Sequence, residues 1–264
     1  MAVRICVSGA TGRMGRQLAR LAAERRDQFE IVGGIARNVV ADPEEVGYPS
    51  IEAMESAGTV LSRAEVWIDF SAPEQLGALL ESHAGAIEDR ALVVGTTGLE
   101  PWIVRRLDEL AGRTAVLLAA NFSVGVNLLL ALVERAAAAL PAAGWDAEIV
   151  ETHHRHKTDA PSGTALALGE AVAHGRDTTL SEKRRDGRSG QVGARPAGEI
   201  AFHALRGGEV TGEHRVSFFG ARERVELTHR AEDRSLFADG ALMAAAWIAG
   251  KPPGLYTMRE VLGI

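Results

Sequence analysis

The first half of the chain alternates short apolar runs with stretches of helical periodicity. The apolar runs span residues 3–8, 29–36, 66–70, 91–94 and 115–119. After the first run, apolar side chains from Met14 to Ala22 recur at the spacing of an amphipathic helix. Continuous apolar runs that alternate with helices indicate strands buried on both faces, and therefore a parallel sheet.

The turns after these strands are expected to gather along one edge of the sheet, where ligands of parallel sheets bind. They begin at Gly9, Ser71, Gly95 and Asn121. The segment Ser71-Ala72-Pro73-Glu74 also has the spacing of a capping box with an early proline, which predicts a helix start.

The pattern changes after about residue 127. A long helix to residue 140 leads to a strand that we expect to end at Glu151, followed by a charged motif and a helix over 164–172. Residues 174–195 lack a clear period and predict a loop. The remaining elements are predicted strands at 199–205, 214–219 and 225–230, and a final helix at 236–249.

The turn after the first strand carries the motif G-x-x-G-x-x-G at Gly9, Gly12 and Gly15. Gly9 permits a tight turn, Gly12 lets the backbone approach a pyrophosphate, and Gly15 lets the helix pack close to the strand. The phosphate charge then lies at a helix N-terminus, where unsatisfied amides point. Because the motif follows a strand and opens a helix, it predicts a dinucleotide-binding turn.

These patterns predict an α/β protein of two domains. A Rossmann-like domain with a parallel sheet is assigned to residues 1–124 and 235–264. A second α+β domain, with a mixed or antiparallel sheet, is assigned to residues 125–234.

The end of the second strand bears on the choice of nicotinamide cofactor. Sites that prefer NADH usually carry an acid there, but this chain has Ala36 followed by Arg37. A cation at this place favours a 2′-phosphate, and therefore NADPH or the acceptance of both cofactors. The alternative, that Arg37 is a solvated loop residue, stays open.

The composition is typical of a globular protein, with 46% hydrophobic and 24% charged residues in a chain of 264. A net charge of −6 argues against a general nucleic-acid binder. Cys6, the single cysteine, excludes an internal disulfide, and its apolar surroundings predict a buried core thiol. We see neither a signal peptide nor a membrane span, so a cytoplasmic location without a membrane partner is expected.

Residues 151–164, ETHHRHKTDAPSGT, concentrate carboxylates, imidazoles, an arginine and a lysine. Imidazole exchanges protons near neutral pH, cationic side chains hold carboxylates, and amides at a helix start bind anions. Ser162 is expected to cap the following helix, which leaves the amides of Gly163 and Thr164 for a carboxylate. The stretch predicts a site for an acidic small molecule that gains or loses a proton.

Metal binding and a solvated charged loop are the alternatives for this stretch. His153, His154 and His156 cannot all point one way on a strand or helix, and no cysteine is near. We therefore predict no metal site. The solvated loop stays open on this stretch alone.

Together the motifs resemble one family, the dihydrodipicolinate (4-hydroxy-tetrahydrodipicolinate) reductases of the diaminopimelate route to lysine. The resemblance runs nearly end to end. Its motifs are GATGRMG from Gly9, WIDFSAPE from Trp67, VGTTG from Val94, AANFSVGVN from Ala119, ETHHRHKTDAPSGTA from Glu151, GEHRVSF from Gly212 and GLYTMREVL from Gly254. The long histidine-lysine motif is specific to that family, whereas the glycine turn alone would not be.

The resemblance implies a reductase that uses NADPH, NADH or both, and transfers a hydride to C4 of a cyclic dicarboxylate. It implies that His153 is the general acid and that Lys157 assists protonation and binds substrate. The other residues implied to hold the substrate carboxylates are His154, Gly163 and Thr164. The residues implied to line the cofactor are Gly9, Ala10, Thr11, Gly12, Arg13, Met14, Arg37, Gly95, Thr96, Thr97, Ala120, Asn121, Phe122 and Ser123.

The resemblance further implies that residues 125–234 form the domain for substrate binding and oligomerisation, and that its open mixed sheet builds a homotetramer. Ala36 departs from the family, whose members often carry an acid there, so no preference for NADH is predicted. Two other functions stay open: a dehydrogenase for a different small acid, and a nucleotide-binding sensor without catalysis. The presence of His153, His154, Lys157 and the Gly163-Thr164 turn in one sequence disfavours the sensor, and an aspartate dehydrogenase would not need the segment KTDAPSGT. Whether the substrate is the hydroxylated or the dehydrated ring is left undecided.

Overall fold

The computed structural model describes residues 1–39 and 42–264, which divide into two compact units. The first unit contains Met1–Val124 and Ser235–Gly263, and the second contains Gly125–Arg234 and Ile264. The strands are β1 (Val3–Ser8), β2 (Phe29–Ile35), β3 (Ile51–Glu52), β4 (Val66–Asp69), β5 (Ala91–Val94), β6 (Ala115–Leu118), β7 (Asp146–His153), β8 (Arg184–Asp186), β9 (Ile200–Arg206), β10 (Glu213–Phe219), β11 (Arg224–Arg230) and β12 (Gly254–Tyr256).

The α-helices are α1 (Arg13–Glu24), α2 (Gly58–Leu61), α3 (Pro73–Ser82), α4 (Ala84–Ile87), α5 (Pro101–Ala111), α6 (Val124–Ala139), α7 (Gly163–Gly175), α8 (Leu180–Lys183), α9 (Ser235–Ile248) and α10 (Met258–Leu262). Short 3-10 turns occur at Glu44–Val46 and Met54–Ser56. Across the described ranges, no helix has both the length and the apolar character needed to cross a bilayer.

The first unit is built on a parallel sheet, as the continuous apolar runs predict. Within the described residues it has seven strands in the order β12-β6-β5-β4-β1-β2-β3, with every neighbouring pair parallel. Helix α9 packs against α1 and the middle strands, and β12 extends the sheet beside β6. The C-terminal segment therefore belongs to the same unit as the glycine turn.

Both faces of this sheet are buried. Along β1, Ile5 and Val7 enter one apolar cluster with α1 and α9, while Cys6 enters the cluster on the opposite face. All three side chains are fully buried. This alternation explains why the run has no polar face, and it confirms that Cys6 is a core thiol.

The second unit carries a mixed sheet, which is also as predicted. Its order in the described part of the chain is β11-β10-β7-β9-β8; β7, β8 and β9 run parallel, and β10 is antiparallel to β7 and β11. Helices α6 and α7 pack on one face through Leu129, Val133, Leu168 and Val172. The buried face of β7 begins with Ala147 and Ile149 and continues with Glu151 and His153. A hydrophobic core thus becomes a polar site along one strand.

Strand β7 extends further than the sequence predicts. It ends at His153 rather than Glu151, because it keeps its pairing with both neighbours to the end: Thr152 pairs with Glu213, and His153 pairs with Arg206. Because the side chains at these positions are polar, a search for apolar runs does not extend the strand to them. The consequence is that His153 lies on a strand and not in a loop.

Two other predictions are wrong. Residues 174–195 are not all loop, because α7 continues to Gly175, α8 follows, and β8 pairs with the edge of β9. The capping box at Ser71 does not form: the N-cap of α3 is Ala72, and the Ser71 hydroxyl instead donates to Asp69 at 2.7 Å. A nearby buried carboxylate competes successfully for that hydroxyl.

Candidate active site

The glycine turn after β1 has a backbone that only glycine fits. Gly9 has φ +79°, and a Cβ there would lie 2.4 Å from the carbonyl oxygen of Phe70. The amides of Gly9 and Ala10 donate to the carbonyl of Ile35 at 3.0 and 3.2 Å. The turn is therefore tied to the end of β2 and pressed against the end of β4.

The start of α1 is prepared for an anion. A Cβ at Gly15 would lie 2.4 Å from the carbonyl oxygens of Gly9 and Ala10, so the helix approaches the turn as closely as a glycine allows. In the described structure, the N-cap Gly12 offers no side-chain cap and the first helical turn holds no acid. Arg13 adds a cation at the first position. Open amides and positive charge at a helix N-terminus suit a pyrophosphate.

The predicted turns do gather along one sheet edge. Strands β1, β4, β5 and β6 are consecutive neighbours, so their carboxyl ends lie side by side. The ring of Phe70, after β4, lies 5.4 Å from the ring of Phe122, after β6. A Cβ at Gly95 would lie 2.3 Å from the Phe70 ring.

Exposure varies widely among the residues implied to line the cofactor. The exposed ones are Gly12, Arg13, Arg37, Thr97 and Ala120. The partly buried ones are Gly9, Thr11, Met14, Gly95 and Asn121, and the buried ones are Ala10, Thr96, Phe122 and Ser123. Arg37 follows the end of β2, directly after the buried Ala36. The oxygen of Asn121 accepts the amide hydrogen of Ser123 at 2.8 Å, which fixes the turn before α6.

A buried carboxylate connects the segments at this edge, although the sequence patterns assigned it no role. Asp69 accepts hydrogen bonds from the hydroxyls of Ser8, of Ser71 at 2.7 Å and of Thr96 at 2.5 Å. The Trp67 ring nitrogen donates to Ser8 at 2.9 Å. Burial raises the pKa of Asp69, and the three hydroxyls only partly counteract it. The ends of β1 and β4 and the turn after β5 are thereby joined through one side chain.

In the second unit, Glu151 forms the centre of a polar cluster. Its carboxylate is 1% exposed and lies 2.5 Å from Nδ1 of His153. Arg206 grips both carboxylate oxygens at 2.8 Å, and the amide of Ser162 donates to one of them at 3.1 Å. Burial raises the pKa of Glu151, but hydrogen bonds from Arg206 and His153 outweigh it, so the pKa lies below the usual range. Glu151 is therefore an ionised acceptor at neutral pH.

His214 packs beside His153, with ring centroids 5.2 Å apart in an edge-on arrangement. Burial, reinforced by the charge of His153, lowers the pKa of His214 to about 4. Its Nε2 lies 3.1 Å from the hydroxyl of Ser162, which accepts the amide hydrogen of Ala165 at 3.2 Å. Ser162 is thus the N-cap of α7, as predicted, and His214 is a neutral neighbour of His153.

His154 points to a different partner from His153. Its Nε2 lies 3.1 Å from Nη2 of Arg234, and because arginine can only donate, Nε2 must accept. A neutral ring then carries its hydrogen on Nδ1, which is buried and, among the described residues, has no hydrogen-bond partner. Burial and the charge of Arg234 lower the pKa of His154, which favours this neutral form. His154 therefore offers a donor that a carboxylate would satisfy.

The remaining residues of the motif separate into two groups. Lys157 is about one-fifth exposed and donates to Asp159 at 2.9 Å, and its charge contributes to the low pKa of His214. His156 is 69% exposed and lies 3.6 Å from Glu209. Lys157 therefore belongs to the cluster, whereas His156 is a surface residue.

The start of α7 leaves room for a ligand. The helix begins at Gly163, which is exposed, and a Cβ built there would meet no atom within 4 Å. Thr164 follows in the first turn and is partly buried. No group of three or more potential metal ligands occurs in the part of the chain that the structure describes. The arrangement combines hydrogen-bond donors suited to an anion with an imidazole, that of His153, which is itself held by a hydrogen bond.

Known proteins resemble this chain over its whole length. Family models described as dihydrodipicolinate reductase, N-terminus and C-terminus, match residues 3–122 and 125–262. A 4-hydroxy-tetrahydrodipicolinate reductase of Caulobacter vibrioides is 46% identical over 261 residues, covering 99% of this chain and 97% of the relative. A protein of the same name from Granulibacter bethesdensis is also 46% identical, with the same coverage.

The chain belongs to the dihydrodipicolinate reductase family. A solved dihydrodipicolinate reductase with bound dipicolinate, from Paenisporosarcina sp. TG-14, agrees in fold with a TM-score of 0.74 and 25% identity, covering 97% of this chain and 98% of that one. As a member of this family the chain is an oxidoreductase, and its first unit contains the nucleotide-binding Rossmann domain of a reductase that depends on a pyridine nucleotide. The family models and the curated relatives name a dihydrodipicolinate reductase, and not a dehydrogenase of a different small acid or a sensor without catalysis.

The structure also places in the site several residues to which the sequence motifs assigned no role. Asp69, Glu151, Arg206, His214 and Arg234 all take part in the two clusters. Two of them had a usable signal in the sequence: Asp69 is a carboxylate in an otherwise apolar run, and Glu151 continues the buried alternation of β7. Arg206, His214 and Arg234 lie 55, 52 and 80 residues from their partners, so no local spacing predicts these contacts, although His214 lies within the motif GEHRVSF.

Proposed function

We propose that His153 donates the proton when this enzyme reduces 4-hydroxy-tetrahydrodipicolinate, the compound for which its curated relatives are named. The family's reductase role lies in diaminopimelate and lysine biosynthesis. The observation that carries the proposal is the hydrogen bond between Nδ1 of His153 and the ionised Glu151. It leaves Nε2 as the nitrogen that can exchange a proton with a ligand.

The first unit is proposed to bind the cofactor. Gly9, Gly12 and Arg13 hold the pyrophosphate at the start of α1, because that helix start is open and positively charged. The turns at residues 95–97 and 120–123 complete the site along the same sheet edge. When bound, the reduced nicotinamide supplies a hydride to C4 of the substrate ring.

We propose that NADPH is preferred to NADH. Arg37 is exposed just beyond β2, and the residue between them, Ala36, supplies no carboxylate where NADH-preferring sites usually carry an acid. A guanidinium matches a 2′-phosphate in charge and geometry.

The second unit is proposed to hold the two carboxylates of the substrate. Nδ1 of His154 supplies one donor, oriented by Arg234. The amides of Gly163 and Thr164 at the start of α7 supply others, next to the open space at Gly163. Two anchors fix the ring in one orientation, and fixing reactants in a productive geometry removes several kcal/mol, up to about 7–11, from a barrier.

The negative charge that the hydride adds to the ring is stabilised in two ways, by protonation and by a nearby cation. A ring that arrives hydroxylated first loses water across C4 and the neighbouring carbon, which leaves a carbon–carbon double bond conjugated with the imine. Once C4 has received the hydride, His153 donates its proton to that neighbouring carbon, so the added negative charge is neutralised. Lys157 lies close enough to the cluster to affect His214, and its ammonium stabilises the growing charge. Glu151 accepts from Nδ1 throughout, before and after the proton leaves Nε2.

A homotetramer is proposed as the assembled form. The face of the second sheet opposite α6 and α7 carries two exposed apolar side chains, Leu205 at 49% and Phe219 at 38%. Residues paired along β9 and β7 place Leu205 beside Thr152 on that face. Replacing Leu205 by Glu should reduce the mass of the oligomer measured by light scattering. An unchanged mass would show that this surface is not part of the subunit interface.

An assay coupled to dihydrodipicolinate synthase tests the reaction. Pyruvate and aspartate semialdehyde are supplied to the synthase, and the loss of reduced nicotinamide is followed with NADPH and with NADH. We expect consumption that needs all components, at a higher kcat/KM with NADPH. If the purified enzyme consumes neither cofactor while an established reductase does so under the same conditions, the proposed reaction is wrong.

A further inference from the structure

The carboxylate of Glu151 has a partner on every side. One oxygen accepts from Arg206 and from the amide of Ser162, and the other accepts from Arg206 and from His153. Because each oxygen accepts two hydrogen bonds and the side chain is only 1% exposed, the carboxylate is held in a single orientation. The nitrogen of His153 that faces it is therefore fixed as well.

Arg206 holds this carboxylate from the neighbouring strand. It pairs with His153 in the register of β9 and β7, and its guanidinium also donates to the carbonyls of Leu205 at 2.6 Å and Asp159 at 2.7 Å. The parallel pair of bonds to Glu151 suits the planar guanidinium in a way that a lysine ammonium does not match. Arg206 thus joins two strands to the turn that precedes α7.

The ring of His153 is confined on its other sides too. His214 packs edge-on against it, and a Cβ at Gly212 would lie 3.1 Å from Nε2. Nε2 has no hydrogen-bond partner among the described residues, and 11% of the side chain stays exposed. Nδ1 is thus hydrogen-bonded to Glu151, whereas Nε2 is accessible to a ligand only from one narrow direction.

We propose that Glu151 and Arg206 are positioning residues for the proton donor: Arg206 aligns Glu151, and Glu151 keeps a hydrogen on Nδ1 of His153 so that Nε2 faces the substrate. This inference rests on the proposed role of His153. An imidazolium can donate from Nε2 only if the neutral ring that remains is stable with its hydrogen on Nδ1. The Glu151 carboxylate accepts that hydrogen in both states.

The substitution Glu151→Gln separates positioning from packing. Glutamine has the shape of glutamate, but its amide nitrogen donates. The oxygen position away from His153 faces two obligate donors, Nη2 of Arg206 and the amide of Ser162, so the amide nitrogen would take the position facing Nδ1 at the loss of one bond from Arg206. Nδ1 then accepts, and the neutral ring carries its hydrogen on Nε2. In the Ser-His-Asp triad, the equivalent replacement of the carboxylate by an amide traps the wrong tautomer.

A matched control lies on the same strand. Glu148 of β7 is bonded by Arg188, Arg195 and His203, but it belongs to the opposite face of the sheet. Glu148→Gln therefore makes the same chemical change among similar partners, away from His153. Variants of both glutamates are first compared by circular dichroism and by their affinity for NADPH.

The coupled assay gives the first readout. We expect Glu151→Gln to lower kcat by roughly 10²-fold or more, within the range of a lost general acid, while the KM for NADPH is unchanged and Glu148→Gln keeps the kcat of the wild type. If kcat is unchanged in Glu151→Gln, the inference is wrong. If Glu151→Gln does not fold, Arg206→Lys decides in its place: it keeps the positive charge, loses the paired bonds, and must also lower kcat.

Nitrogen-15 spectra of histidine-labelled enzyme give a readout that does not depend on turnover. His153 is assigned by comparison with His153→Ala, and its hydrogen should move from Nδ1 in the wild type to Nε2 in Glu151→Gln; an unchanged tautomer contradicts the inference. His153→Ala also separates the two proposals. If it turns over normally, the role of His153 fails; if it is impaired while Glu151→Gln is normal, only the positioning role fails.

Discussion

The hydroxyl of Thr96 donates to the buried carboxylate of Asp69 at 2.5 Å and so joins the turn after β5 to the end of β4. The same carboxylate holds Ser8 and Ser71, so one side chain supports three segments of the proposed cofactor edge. In Asp69→Asn, an amide donor replaces one acceptor oxygen, and at least one hydroxyl must turn away. We expect weaker binding of NADPH in calorimetric titrations.

The matched control for this prediction is Thr114→Val. The Thr114 hydroxyl is also largely buried and donates to the carbonyl of Arg90 at 2.8 Å, but it precedes β6 at the opposite edge of the sheet. Its loss should cost about 1 kcal/mol in the free energy of unfolding without changing NADPH affinity. Equal NADPH affinities in Asp69→Asn and the wild type would show that the carboxylate is only structural.

Lys157→Ala tests the cation beside the proton donor. Loss of one well-placed donor to developing charge should reduce kcat by roughly 10²–10³-fold and leave the affinity for NADPH unchanged. Lys183→Ala is the control, because Lys183 is an exposed residue of α8 in the same unit. A kcat for Lys157→Ala equal to that of the control would remove Lys157 from the mechanism.

Arg37→Ala tests the preference for NADPH. The substitution should raise the KM for NADPH more than the KM for NADH, because only NADPH carries the 2′-phosphate. Arg26→Ala serves as the control, since Arg26 is exposed before the amino end of β2 whereas Arg37 follows its carboxyl end. Equal increases for both cofactors would mean that Arg37 does not bind the phosphate.

The free energy of unfolding should depend on pH through Glu148. Burial raises its pKa, but hydrogen bonds from Arg188, His203 and Arg195 outweigh this and lower the pKa from 4.5 to about 2. Because the folded pKa is depressed, this stabilisation is fully present above pH 4.5 and is lost as pH falls towards 2.

Denaturant unfolding of Glu148→Gln measures that contribution. A shift of this size corresponds to at most about 3 kcal/mol, so the variant should be less stable than the wild type near neutral pH by an amount of that order. The difference should shrink as pH falls. A difference that is constant over the acid range would show that Glu148 is not ionised in the folded protein, or gains nothing from its partners.

Local features were predictable where a single segment decides them. The parallel sheet follows from continuous apolar runs, and the N-cap of α7 follows from Ser162 before a helical segment. Long-range pairs were not: Ser8 and Asp69 are 61 residues apart, and Arg206 is 55 residues from Glu151. The capping box at Ser71 failed for the same reason, because the folded chain offers its hydroxyl a buried carboxylate that no local spacing shows.

The pH dependence of kcat/KM for the wild type and His153→Ala tests the role of His153 most directly. His214 is already neutral near pH 7, with a pKa of about 4, so it does not contribute to the basic limb. We expect the wild-type value to fall as the donor loses its proton at higher pH, and the variant to be roughly 10²–10⁴-fold slower without that fall. A variant that keeps the same basic limb would show that another group donates the proton.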